Sequence, residues 1–179
     1  MKITLVVLLW FWIASPESRE THAAWEGTQE ESSIKFTIRN MGLTVEGQFD
    51  SFTTTVDYNK DQPANSSFSA TIQVNSINTG INKRDDHLRQ EEYFHVEKYP
   101  TITFRSTSVS ASNGDNMTVT GDLTIKGKTL PVELTVTITE AGGKTQFSIS
   151  GELDRRDFGV GGSSWVMSDD VYLDLYVEN

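Results

Sequence analysis

Residues Leu130 to Ile138, Leu-Pro-Val-Glu-Leu-Thr-Val-Thr-Ile, put an apolar side chain at every second position from Leu130 onward, with Pro131, Glu133, Thr135 and Thr137 between them. That period belongs to a β-strand with one buried face, because successive side chains of a strand point to opposite sides of the sheet. The same alternation recurs in Ile34/Phe36/Ile38, Phe68/Ala70/Ile72/Val74, Val119/Gly121/Leu123/Ile125 and Val171/Leu173/Leu175/Val177. Shorter versions surround Val45/Gly47/Phe49, Ile102/Phe104 and Phe147/Ile149. The pattern predicts about eight strands. Helical spacing is almost absent downstream of Trp25.

Short turn signals join several of these strands. Met41-Gly42, Asn113-Gly114, Lys126-Gly127-Lys128 and Gly142-Gly143 suit tight antiparallel hairpins, because Gly and Asn tolerate positive φ. One-sided alternation over this many strands leads to a sandwich or a barrel, and long strands favour the barrel, which leaves no open edge. The expected fold is therefore all-β, an antiparallel barrel of about eight strands with one short helix. That helix is expected within Asn82 to Phe94, with Asn82 as its cap and Asp85 completing a capping box. Asp154 to Asp169, rich in Gly and Ser, is expected to be a loop.

Composition removes several function classes. The 179 residues suit one domain, and 15 Lys plus Arg against 25 Asp plus Glu give a net charge of −10, which repels phosphate backbones and speaks against nucleic acid. With no cysteine there is no disulfide, thiolate metal site or Cys nucleophile. At the N-terminus Lys2 precedes the apolar run Ile3 to Ala14, long enough for a signal peptide and short for a membrane span. Cleavage after Ala23, with Thr21 and Ala23 at the small-residue positions, divides the chain into a signal peptide at 1–23 and a domain at 24–179. Residues 1–23 carry two charges of each sign, so the acidic character belongs to the domain. A periplasmic or secreted location follows as the expectation.

The polar residues offer weak chemistry. Arg84, Asp85, Asp86, His87 and Arg89 form the densest cluster, and His87 with Asp86 could serve as a general base. No Ser stands in a nucleophile-elbow pattern, and the plainer reading is a set of ion pairs that pin a helix. A metal would need His87, His95 and carboxylates from Asp86, Glu91, Glu92 or Glu97, and their spacing matches no compact ligand motif. The stretch Gly159 to Gly162 lacks the Lys-Ser/Thr of a phosphate loop and reads as a turn. No catalytic residue, metal or cofactor is assigned.

The inward faces are the candidate site. Phe36, Ile38, Phe49, Phe68, Ile72, Phe104, Leu123, Leu134, Phe147 and Leu173, with Phe94 after the helix, would line whatever the barrel encloses, whether a filled core or a cavity. Arg84, Asp86, His87 and Arg89 would shape its mouth.

Six blocks give the chain a resemblance to the YceI-like family of polyisoprenoid-binding periplasmic proteins, from Trp25 to Val177. They are Arg84 to Arg89 (RDDHLR), Phe94, Tyr99 to Ser106 (YPTITFRS), Gly121 to Val132 (GDLTIKGKTLPV), Asp154 to Val160 (DRRDFGV) and Ser168 to Val171 (SDDV). The resemblance implies a lipocalin-like barrel whose hydrophobic tunnel takes a long isoprenoid, quinone or fatty-acyl chain, in a carrier, storage or stress-related role without catalysis. Family members often carry His-Ser before the first strand and Phe-Asp after the helix; here Ser32-Ser33 and Phe94-His95 stand there, which bears on head-group contacts. Two other classes stay open: a lipid-modifying enzyme built on Asp86 and His87, and a surface-interaction or carbohydrate-binding β-protein using Tyr172 and Tyr176. Transient contact with a membrane or a lipid-handling partner, and a homodimer, also stay open.

Overall fold

The computed structural model describes residues 25–27, 32–111 and 116–178. The expected signal peptide and the Asn113-Gly114 turn lie outside them. Eleven strands form one antiparallel sheet: β1 Trp25–Gly27, β2 Ser33–Asn40, β3 Leu43–Phe49, β4 Phe52–Asp57, β5 Ser67–Gln73, β6 Ile77–Asn78, β7 Thr101–Ala111, β8 Asn116–Ile125, β9 Lys128–Ala141, β10 Lys144–Asp154 and β11 Met167–Glu178. Their order is β1-β4-β5-β7-β8-β9-β10-β11-β2-β3-β6, a sheet curled into a half-barrel. The eight segments read from alternation are all present. Three more strands join them, and β4 escapes alternation because threonine fills half of its length.

The ladder does not run between β1 and β6, so the full closure expected from the pattern is not reached. The corner Asp50–Ser51 carries the chain from β3 across to β4 on the far side of the curl. Hydrogen bonds fasten this corner: the Asp50 N–H donates to the Ser76 carbonyl (3.1 Å), the Ser51 N–H to Ser76 Oγ (3.0 Å) and the Gln73 N–H to the Ser51 carbonyl (2.9 Å).

Each of the three described hairpin turns uses two positive-φ residues, as a two-residue turn matching strand twist requires: Met41-Gly42, Lys126-Gly127 and Gly142-Gly143. The helix α1 spans Asn82–Leu88, shorter than the expected segment, and Ile81 is its N-cap. The capping box is absent because Asp85 faces inward, where its Oδ1 accepts the N–H (2.9 Å) and the hydroxyl (2.5 Å) of Thr79. Beyond Leu88 the chain runs in successive turns to Pro100.

Two apolar clusters divide the interior. One gathers Phe49, Phe52, Ile72, Ile77, Ile102 and Ile125 beneath α1, with Leu88, Tyr93 and Phe94 packed on it. The other fills the remote end with Val56, Phe68, Val119, Leu134, Val136, Phe147 and Val177.

Candidate lipid-binding cavity

Between these clusters lies a cavity of about 210 Å³, walled almost entirely by carbon. Close-packed interiors hold few voids larger than a water molecule, so a space of this size is not a packing defect. An apolar occupant would remove this carbon surface from water, at roughly 25 cal/mol per Å².

Most of the wall comes from inward strand positions. Phe36 and Ile38 enter from β2, Phe49 from β3, Phe68 and Ile72 from β5, and Phe104 from β7. Leu123 comes from β8, Leu134 from β9, Leu173 from β11, and Phe94 from the turn after α1. The Phe36 and Phe49 rings lie 5.7 Å apart and Phe94 meets Phe49 edge-on at 6.2 Å, so an aromatic row leads from β2 to the segment under α1. Phe147 is the exception among the expected lining residues. Only 1% exposed, it packs edge-on against Tyr58 (5.5 Å) and Phe68 (5.9 Å) and helps plug the remote end instead.

Three in-strand glycines give these side chains their room. A Cβ on Gly47 would come within 2.3 Å of the Phe36 ring, one on Gly121 within 2.5 Å of Phe104, and one on Gly151 within 2.5 Å of Leu134. Each large side chain therefore lies flat over a neighbouring strand's bare backbone and leaves the bore open.

The polar mouth divides. Arg84 reaches the cavity wall, with Nε donating to Thr79 Oγ1 (2.7 Å) and Nη2 to the Thr79 carbonyl (2.7 Å). Asp86, His87 and Arg89 do not line it. Arg89 straps α1 to the sheet, donating to the carbonyls of Asn75 (3.0 Å) and Ile77 (3.0 Å) while pairing with Asp86 (2.9 Å). His87 bonds Glu92 and edges the Tyr93 ring, on the solvent side. These three act on the helix rather than the mouth: the Arg89 head is spent on backbone carbonyls beside α1, and Asp86 and His87 face solvent. His95 adopts φ +50, a conformation histidine tolerates better than most residues, and packs its ring edge-on against Tyr99.

Sequence reasoning passed over Arg155, which lies within the DRRDFGV block. Only 4% exposed, it donates to the carbonyls of Ser168 (2.9 Å), Val160 (2.8 Å) and Gly162 (3.0 Å) and pairs with Asp169 (2.8 Å), which organises the glycine loop around one guanidinium. Lys126, in the β8–β9 turn, then ties that loop to the turns after α1 by donating to the carbonyls of Gly159 (2.9 Å) and Glu91 (2.8 Å). Three of the sequence blocks thus meet at one end of the half-barrel.

An antiparallel half-barrel around an apolar cavity, roofed by a short helix, places the protein in the class of all-β folds built around an interior space. Residues 25–179 match the model of the YceI-like domain, and the chain belongs to that family. A UPF0312 protein of Pseudomonas aeruginosa is 34% identical over 152 residues, covering 81% of this chain and 79% of its own. BcnA of Burkholderia cenocepacia superposes with a TM-score of 0.82 at 27% identity, covering 86% of this chain and 99% of the other. A polyisoprenoid binding domain from Saccharophagus degradans, implicated in plant cell wall breakdown, shares the fold with a TM-score of 0.62 at 16% identity, over 82% of this chain and 92% of that one.

Proposed function

We propose that this protein holds one long-chain apolar lipid, of polyisoprenoid, isoprenoid-quinone or fatty-acyl type, inside the half-barrel, as an exported carrier or store. The carbon-walled cavity of about 210 Å³ carries the reading. Each methylene moved from water into such a space gains roughly 0.8 kcal/mol, so chain length supplies the affinity and no strong polar anchor is required. The polyisoprenoid-binding description of the Saccharophagus degradans domain agrees with this choice of ligand. The apolar run Ile3 to Ala14 supports an exported, periplasmic setting.

Binding fits the site better than turnover, since His87 and Asp86 lie outside the cavity wall. Native mass spectrometry of the protein purified from its host, followed by organic extraction, tests the reading. A prenyl or acyl lipid at near-unit occupancy is the expected result. A ligand-free mass that also ignores added prenols, quinones and fatty amides would overturn it.

A further inference from the structure

Five of the six large apolar side chains that stand in solvent among the described residues gather at one end of the molecule. They are Met41 (75% exposed), Leu43 (71%), Ile81 (53%), Trp165 (104%) and Val166 (55%); Tyr172, on the outer face of β11, is the sixth. Register places four of them together. Leu43 pairs with Asn40, Asn40 pairs with Met167, and the Met41 N–H donates to the Val166 carbonyl (2.6 Å), so the β2–β3 turn and the loop before β11 form one double tip. Asn40 and Met167 themselves line the cavity, and Ile81 falls between two more lining residues, Thr79 and Arg84. The apolar rim therefore borders the mouth.

Charge at the rim runs against the rest of the chain. The protein carries −10, yet Arg39, Lys83 and Arg84 border these tips and none has an ion-pair partner among the described residues. Of the nearby carboxylates, Asp85 is buried on Thr79, Asp86 is paired with Arg89 and Asp169 with Arg155 and Arg156, which leaves Glu46 and Asp170 in solvent against three cations.

We propose that this rim docks on a lipid bilayer. Trp165, Met41, Leu43, Val166 and Ile81 enter the interfacial layer and Arg39 and Lys83 face headgroup phosphates, so that the cavity opens onto the membrane that dissolves its cargo. Trp is favoured in that layer, and protruding apolar tips suit a fluid that closes around them. A second copy fits less well, because a two-fold contact at these tips would bring the unpaired cations Arg39 and Lys83 of both copies into one interface. This inference rests on the lipid-holding reading.

Flotation tests it. The protein beginning at Ala24 is suitable, since every described element and the whole family match lie at residue 25 or beyond. It should float with vesicles of phosphatidylethanolamine and phosphatidylglycerol, and the double substitution Leu43→Glu, Trp165→Glu should lower the bound fraction by roughly tenfold or more. Both residues are exposed, so the variant should keep its melting temperature and still take up a prenol presented in detergent. Arg39→Glu with Lys83→Glu should weaken flotation on phosphatidylglycerol-containing vesicles and leave it unchanged on phosphatidylcholine. Failure of the unaltered protein to float, or equal flotation of the Glu variant, overturns the docking. A dimer that the Glu variant splits, without vesicle binding, assigns the rim to a second copy and also overturns it. Flotation without prenol uptake in detergent overturns the lipid-holding reading alone.

Discussion

The ring of Phe36 lies across the backbone of Gly47, its partner in the β2–β3 pair, so closely that a Cβ there would come within 2.3 Å of Cζ. Gly47→Ala should push the ring toward the cavity. Overpacking of this kind costs about 1–3 kcal/mol, and the displaced ring should also reduce uptake of the longest chains first. Thermal melts and a prenol length series on one variant separate the two effects.

Ala70 also faces the cavity, opposite Thr54 on β4 and Phe104 on β7. Ala70→Phe should fill the void: the ligand-free protein gains about 1 kcal/mol, a rise of roughly 2–4 °C in Tm, while lipid uptake is lost. A fall in Tm instead would mean that side chains already fill the interior.

Arg155 is the one buried cation of the glycine loop. Arg155→Met strands the carbonyls of Val160, Gly162 and Ser168 and should cost about 3 kcal/mol in urea unfolding. Arg155→Lys, which keeps the charge but not the fork of donors, should fall between.

Glu178 sits near the end of β11 with its carboxylate bonded first by Lys144, then by Tyr176 and Gln146, and these bonds hold its pKa down from near 4.5 to about 2. A group depressed in the folded state stabilises it above the unfolded pKa, and that share is lost as pH falls from about 4.5 toward 2. Glu178→Gln should therefore lower Tm at pH 6 and make progressively less difference as the pH drops through that window. A Tm difference between the two proteins that stays constant from pH 6 to pH 2.5 would refute the assignment.

Legibility in the sequence followed burial. Strands with one dry face, such as Leu130 to Ile138, announce themselves because alternation is the direct imprint of a half-buried sheet. The same imprint picked out Phe36, Phe49, Phe68 and Phe104, since an inward position reads alike whether it meets a void or another side chain. For that reason it could not tell Phe147, a plug, from Phe104, a wall. β4 stayed hidden because Thr53, Thr54 and Thr55 carry no polarity contrast even though their burial alternates. The roles of Asp85 and Arg155 were hidden too: Asp85 is fixed by the N–H and hydroxyl of Thr79, and Arg155 by three carbonyls and the Asp169 carboxylate that come together only in the fold. Gly47 and Gly121 stand in the alternating pattern at inward positions, where a bare backbone marks the space that a neighbouring side chain needs.

The unpaired line between β1 and β6 gives the molecule a seam. Elsewhere around the curl, changing the girth would require breaking ladder hydrogen bonds, but along this line the two edges are joined by the chain crossings at Asp50–Ser51 and Val74–Ser76, the bonds around Ser76 and side-chain packing. A bore that had to take thinner or bulkier cargo would therefore gape along the part of this line away from that corner while every ladder stayed intact, much as a split collar eases around a shaft without being stretched.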